Sequence, residues 1–185
     1  MKFKLRAPNK NFWSADKLFG LSAMMISLIT LIIFVRQTNI MEQQSRMSVM
    51  PYVLFELSDK RSEHLMILEL VNHGVGPAIV DDVSIEYKGK SYAMDFYTFV
   101  KSIKPEMDSI EFLNHSDLYK GRAIPSGGRF NIWTIGATRG EYESFKKEFF
   151  AIQQHPSFDF EIRYKSIYDD YWIIDAKNGM PRFLD

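Results

Sequence analysis

Eighteen consecutive residues, 18–35 (LFGLSAMMISLITLIIFV), carry no charge. As an α-helix rising about 1.5 Å per residue, such a run spans roughly the hydrocarbon core of a bilayer. It predicts a membrane anchor and confines the rest of the chain to the vicinity of a lipid surface. The flanks give it a direction. Residues 1–17 hold five bases (Lys2, Lys4, Arg6, Lys10, Lys17) against Asp16 alone, whereas the exit side offers Arg36 and Arg46 with Glu42. Basic flanks stay cytoplasmic, so the N-terminus is expected inside and the C-terminal body outside. Phe12 and Trp13 stand where an interfacial aromatic belt would form.

A cleaved secretory signal begins with the same order of basic tail and apolar run. Its apolar core is usually shorter, however, and ends at a small-x-small site. The exit here reads FVRQTNIMEQQS and has no such site, so an uncleaved anchor is the expected form. A core helix of a soluble domain ordinarily shows a polar face, which this run lacks. Gly20, Ala23, Ser27 and Thr30 recur at spacings of three, four and three, placing small residues on one helical stripe. That is the composition of a surface for self-association or docking on another membrane helix, and equally of an ordinary membrane span.

Residues 36–50 contain no Gly or Pro and read as a helical stalk prolonging the anchor. Ile33, Ile40 and Met47 recur every seven residues, but Arg36, Gln37, Gln43 and Gln44 occupy the companion seam positions, which argues against a coiled coil. Pro51 is expected to end the helix and begin extended chain.

Residues 51–185 are enough for one domain with its own core. Beyond the anchor, 18 basic and 22 acidic side chains leave no basic footprint, so nucleic acid is not an expected partner. The chain has no cysteine, which excludes disulfides and thiolate chemistry. Strand patterns dominate. They fall at residues 52–57, at 64–71 (apolar on nearly both faces, as a central strand would be), at 83–87, at 91–96 after a Lys88-Gly89-Lys90 turn, at 129–135, at 158–165 and at 171–175. Residues 141–154 place Tyr142, Phe145, Phe149 and Ile152 on one helical face, and a shorter helical turn is expected at 96–103. Six to eight strands joined by hairpins and longer connections predict a mainly β fold. The expected architecture is an antiparallel β-sandwich with one amphipathic capping helix, preceded by the transmembrane helix and stalk.

The most distinctive string is Asn72-His73-Gly74-Val75-Gly76-Pro77-Ala78. Asn72, Gly74, Gly76 and Pro77 read as a structural turn, with glycines free to adopt positive φ. A phosphate loop would need a helix behind it and a Lys or a third Gly. A stalk, then Pro51-Tyr52-Val53, then a strand running into Asn-x-Gly-x-Gly-Pro-Ala resembles a group of bacterial single-pass, membrane-tethered β-sandwich proteins. The resemblance implies a bacterial source and a β-sandwich-like domain, and it carries over no catalytic residues. With the direction given by the basic flanks, the expected location is the bacterial inner membrane with a periplasmic or extracellular β-domain.

No pattern predicts a catalytic constellation, a cofactor or a metal. His64, His73, His115 and His155 are scattered, and a spatial pairing of His73 with Asp81 or Asp82 is the one metal arrangement worth naming. Ser126 lies in PSGG, outside a nucleophile elbow. Tyr168, Asp169, Asp170 and Tyr171 form an aromatic and acidic turn that suits a partner surface, while Tyr164 and Trp172 read as core. The leading expectation is a non-enzymatic, membrane-anchored binding module that contacts the bilayer and a protein partner or a second copy of itself. The alternatives are a membrane-linked sensor or defence component with a cytoplasmic β-domain, and a hydrolase whose site assembles only in the fold.

Overall fold

The computed structural model describes residues 15–105, 110, 112–136 and 138–184, and the chain divides into two units between Ser45 and Arg46. The basic tail, with Phe12 and Trp13, lies outside the described residues. The first unit is built on α1 (Ala15–Met47), a 33-residue helix with no buried residue. It is long and apolar enough to cross a membrane. The hydroxyls of Ser27 and Thr30 donate to the carbonyls of Ala23 and Ile26 at 2.9 and 2.8 Å. Such back-bonding would remove the cost of an unsatisfied hydroxyl for a helix placed in hydrocarbon. Gly20, in the same stripe, has open space around its Cα. The helix ends at Met47, ahead of Pro51, and two turn bonds (Val49 N–H to Arg46, Met50 N–H to Met47) carry the chain out of it.

The second unit holds two antiparallel sheets. The first is ordered β1 (Val53–Lys60), β2 (Leu65–Asn72), β7 (Arg129–Ile135), β5 (Phe112–His115). The second is ordered β10 (Arg182–Leu184), β9 (Tyr171–Asp175), β8 (Asp159–Lys165), β3 (Ala78–Tyr87), β4 (Lys90–Tyr92), with β6 (Ala123–Ile124) beside the start of β3. β2 has a neighbour on each side, as its apolar run demands. In β3 a bulge at Asp81 resets the alternation, so that Val80 and Val83 both point inward. Lys88 and Gly89 both take positive φ, the requirement of a tight hairpin.

The facing sheets share one core. Phe55 of β1 lies 4.7 Å, centroid to centroid, from Phe160 of β8, and the Val53 N–H donates to the Tyr164 hydroxyl at 3.3 Å. Burial pushes that phenol up to about 12, so it stays a neutral hydrogen-bonding group. Tyr164 and Trp172 are core, as read from the sequence. α2 (Phe96–Ile103) is N-capped by Asp95, which accepts the Thr98 N–H. That cap takes Phe96 into a helix and cuts the strand expected over 91–96 back to Lys90–Tyr92. The strands not foreseen, β5, β6 and β10, have two to four residues each, too few for alternation to register.

α3 (Arg139–Gln153) begins at Thr138, whose side chain accepts the Glu141 N–H. It buries Tyr142, Phe145, Phe149 and Ile152, and Trp133 of β7 meets Phe145 and Phe149 edge-on at 5.6 and 5.2 Å. At its polar margin Asp59 of β1 accepts hydrogen bonds from the Tyr142 hydroxyl and, at 2.7 Å, from Lys146. The Lys146 ammonium and then the Tyr142 hydroxyl hold the Asp59 carboxyl below its ordinary range. A carboxylate depressed in the folded state stabilises the fold above its unfolded pKa, and that contribution is lost as pH falls through the folded value. Asp59→Asn is therefore expected to cost roughly 1–3 kcal/mol at neutral pH. The difference from wild type should narrow on acidification, measured by urea unfolding of the micelle-solubilised chain. A difference that does not change with pH would show that the charge on Asp59 is not what holds α3.

Candidate functional site

Asn72 closes β2 with a fully buried carboxamide. Its Oδ1 accepts the Tyr52 and Gly74 N–H groups at 3.1 and 3.0 Å, and its Nδ2 donates to the carbonyls of Gly76 (2.8 Å) and Ile124 (3.0 Å). Its backbone N–H donates to Gly128 and its carbonyl accepts the Gly127 N–H. One side chain with four hydrogen-bonding positions thus joins the segment entering the domain, the glycine turn and the loop between β6 and β7.

The glycines have a purpose that spacing did not disclose. Neither Gly74 nor Gly76 has positive φ, which corrects the expectation that they supply a left-handed turn. What they provide is close approach. A Cβ at Gly74 would overlap the Tyr52 nitrogen, and one at Gly76 the Val49 carbonyl. With no side chain in the way, the Met50 carbonyl accepts the Val75 N–H at 3.0 Å and the Tyr52 carbonyl accepts the His73 N–H at 2.8 Å. Ser126 donates to the Gly74 carbonyl at 2.6 Å, so its hydroxyl is a brace for the turn. Pro77 follows and leads directly into β3.

The second grip comes from the turn between β8 and β9. Arg46 donates to the Asp170 carboxylate at 2.7 Å, and its guanidinium lies 5.5 Å from the Tyr168 ring centroid. Buried Ser166 organises that turn, accepting the Tyr168 and Asp170 N–H groups, while Asp169 takes positive φ. Asp169 pairs with Lys165 at 2.5 Å and holds that ammonium above its usual range. The turn expected as a partner surface is therefore partly committed inside the domain. Tyr168 and Asp170 meet Arg46, Asp169 meets Lys165, and Tyr171 lines a cleft beside them.

The structure thus brings two of the expected residue groups, 72–77 and 168–171, to one place, the entry segment 46–52. The small-residue stripe of α1 belongs to the other unit. Of the pairing named for His73 with Asp81 or Asp82, His73 contacts Glu56 at 2.8 Å and Asp81 pairs with Lys120 at 2.9 Å. Among the described residues no group of three or more His, Cys, Asp and Glu is placed to hold a metal ion. Sequence reasoning passed over Arg46, an ordinary stalk base by composition, and Arg163, one of several charges on a wet strand face.

Because backbone lies against Gly76, Gly76→Ala is expected to cost about 1–3 kcal/mol through overpacking and to speed tryptic cleavage after Arg46. Gly140→Ala, where a Cβ meets open space within a helix, should be neutral or stabilising. Equal cleavage rates in the two variants would show that the glycine turn does not hold the entry segment.

No curated protein and no solved structure matches this chain. One family model does, over residues 18–178, from the first residue of the apolar run to the turn that follows β9. By that match the chain belongs to the family described as a domain of unknown function (DUF8453).

Proposed function

We propose that this chain is a single-pass, membrane-anchored, non-enzymatic module that presents its β-sandwich to a protein partner close to the bilayer. The observation that carries the reading is the grip on residues 46–52. The chain's most distinctive motif, Asn72 to Pro77, is spent on holding the segment through which the polypeptide enters the domain. A domain meant to be released from its leader has no need of such a grip, and a domain displayed on an anchor does. The family match, which takes in the apolar run together with the sandwich, supports the same view. So does the unbroken course of α1 to Met47, because signal peptidases act on extended chain just past a shorter apolar core.

The five bases before the span and the two after it orient the N-terminus to the cytoplasm and the sandwich to the periplasm or exterior of a bacterial inner membrane. The carboxyls Asp59, Glu148 and Asp175 all move below their ordinary range. Lys104 hydrogen-bonds Glu148, and at Asp175 the Asn178 and Lys177 donors outweigh the burial that would raise it. A general acid working at neutral pH needs the opposite shift, which favours binding over hydrolysis. The alternative of a sensor with a cytoplasmic β-domain draws on Asp170, which holds Arg46 and also lines a cleft.

The absence of cysteine makes topology directly measurable. Ser91, exposed on β4, is a better probe position than Ser126, whose hydroxyl braces the glycine turn. A Ser91→Cys chain in intact cells with a permeabilised outer membrane is expected to react with a membrane-impermeant maleimide, and Ser14→Cys only after lysis. Photo-crosslinkers at the exposed residues Leu113 and Tyr119 should then give a discrete adduct with an envelope protein. Labelling of Ser91→Cys only after lysis would overturn the orientation and favour the sensor.

A further inference from the structure

The outer face of the second sheet carries a cation that the fold does not use. Arg163 lies on β8, across from Asp82 of β3 and Ile173 of β9. Among the described residues its guanidinium has no ion pair and no hydrogen bond, and its Nε is closed off from solvent without a partner. The side chain lines an open cleft of about 820 Å³ with Asp81, Asp169, Asp170, Tyr171, Phe183 and Leu184, a volume in the range of small-molecule sites. Three carboxylates share the cleft with one arginine, yet each has its own counter-ion. Asp81 pairs with Lys120 at 2.9 Å, Asp169 with Lys165 at 2.5 Å and Asp170 with Arg46 at 2.7 Å. Over its described lining and those counter-ions the cleft is left with one surplus positive charge, on a planar group, partly desolvated and therefore weakly screened. Asp82, in register with Arg163, lines a different cleft and makes no ion pair with it.

We propose that this cleft binds a small organic monocarboxylate. The carboxylate sits on the Arg163 guanidinium, and an apolar or aromatic body lies against Tyr171, Phe183 and Leu184. A guanidinium fork matches a carboxylate geometrically and strengthens the contact by charge. A phosphate dianion would exceed the one surplus charge and meet three aspartates at the rim. Specificity on this account is set by the count of charges as much as by shape. Lys120 and Arg46, although they point at aspartates, hold the affinity up by keeping those aspartates neutralised. The site requires no protein partner, so it stands or falls separately from the module reading above.

The test uses the full chain in neutral detergent micelles with 4-fluorobenzoate as probe, followed by fluorine NMR. Saturable binding is expected, with 4-fluorobenzamide (same size, no charge) giving none. Arg163→Gln should lose about tenfold or more in affinity, the ordinary consequence of removing a charge-assisted contact. Arg163→Lys, which keeps the charge without the fork, should lose several-fold. Lys120→Gln should also weaken binding by freeing the charge of Asp81. The melting temperature of Arg163→Gln should not fall, because the fold makes no use of the guanidinium; a marked fall would assign Arg163 a structural role and overturn the proposal. It is equally overturned by equal binding of benzoate and benzamide, by unchanged affinity in Arg163→Gln, by displacement of the probe with inorganic phosphate below the concentration at which acetate displaces it, or by no saturable binding at all.

Discussion

The carboxamide of Asn72 is sealed from solvent, and its four hydrogen-bonding positions are taken by backbone from three stretches of chain. A buried amide in that position cannot exchange its partners for water. Breaking any one contact leaves a desolvated group uncompensated. The entry segment, the turn into β3 and the loop before β7 are therefore held as a set. The register of β2 against β1, which begins at the Asn72–Val53 pair, starts from the same residue. Substituting a hydrophobic side chain would empty several bonds at once, and an aspartate would lose the donors that reach Gly76 and Ile124.

Around that hub the domain uses two different kinds of adhesion. Between the sheets it is aromatic and aliphatic packing, with Phe55, Phe160 and Phe96 meeting at 4.7 to 5.2 Å, where contact area rather than direction sets the energy. At the margins it is charge pairing on half-exposed groups: Asp59 with Lys146, Lys104 with Glu148, Arg46 with Asp170. The most exposed of them, Arg46 with Asp170, contributes little on its own. These pairs serve chiefly to position: each pins one segment, α3, the end of α2 or the entry segment at Arg46, at a defined place on the sandwich rim.

Periodicity made most of this architecture legible, and the exceptions have physical causes. Residues 158–165 and 141–154 alternate or repeat cleanly because one face is core and the other water, so β8 and α3 could be read directly. β10 could not, because three residues on a sheet edge need only one neighbour and leave no pattern. The conformation at residues 72–77 misled for a subtler reason. Glycine answers two demands, positive φ and the absence of Cβ, and composition does not separate them. Only the backbone of residues 49–52, lying against the turn, identifies the second as the operative one. Arg46 and Arg163 were invisible for a related reason: an arginine's role depends on which acids are left to it, and that is a property of the assembled rim.

That rim also contains one of three places, among the described residues, where a buried side-chain polar atom has no partner; the other two, Asn131 Oδ1 and Trp133 Nε1, lie on β7. Acids near turns are answered locally, Asp169 by Lys165 and Asp170 by both Ser166 and Arg46, and the buried Asp175 is satisfied by Asn178 and Lys177. Among the described residues Arg163 is partly desolvated and unanswered, with the three aspartates that share its cleft committed elsewhere. A fold that needed only stability would have turned one of those acids toward it, or placed a neutral residue on β8. A buried donor without a protein partner calls for a physical explanation, and the one that opens on a cleft is answered by the carboxylate proposed above. The unmet donor on β8 thus marks a different kind of residue from Asn72: the fold uses every bond of the asparagine and leaves those of the arginine to an incoming group.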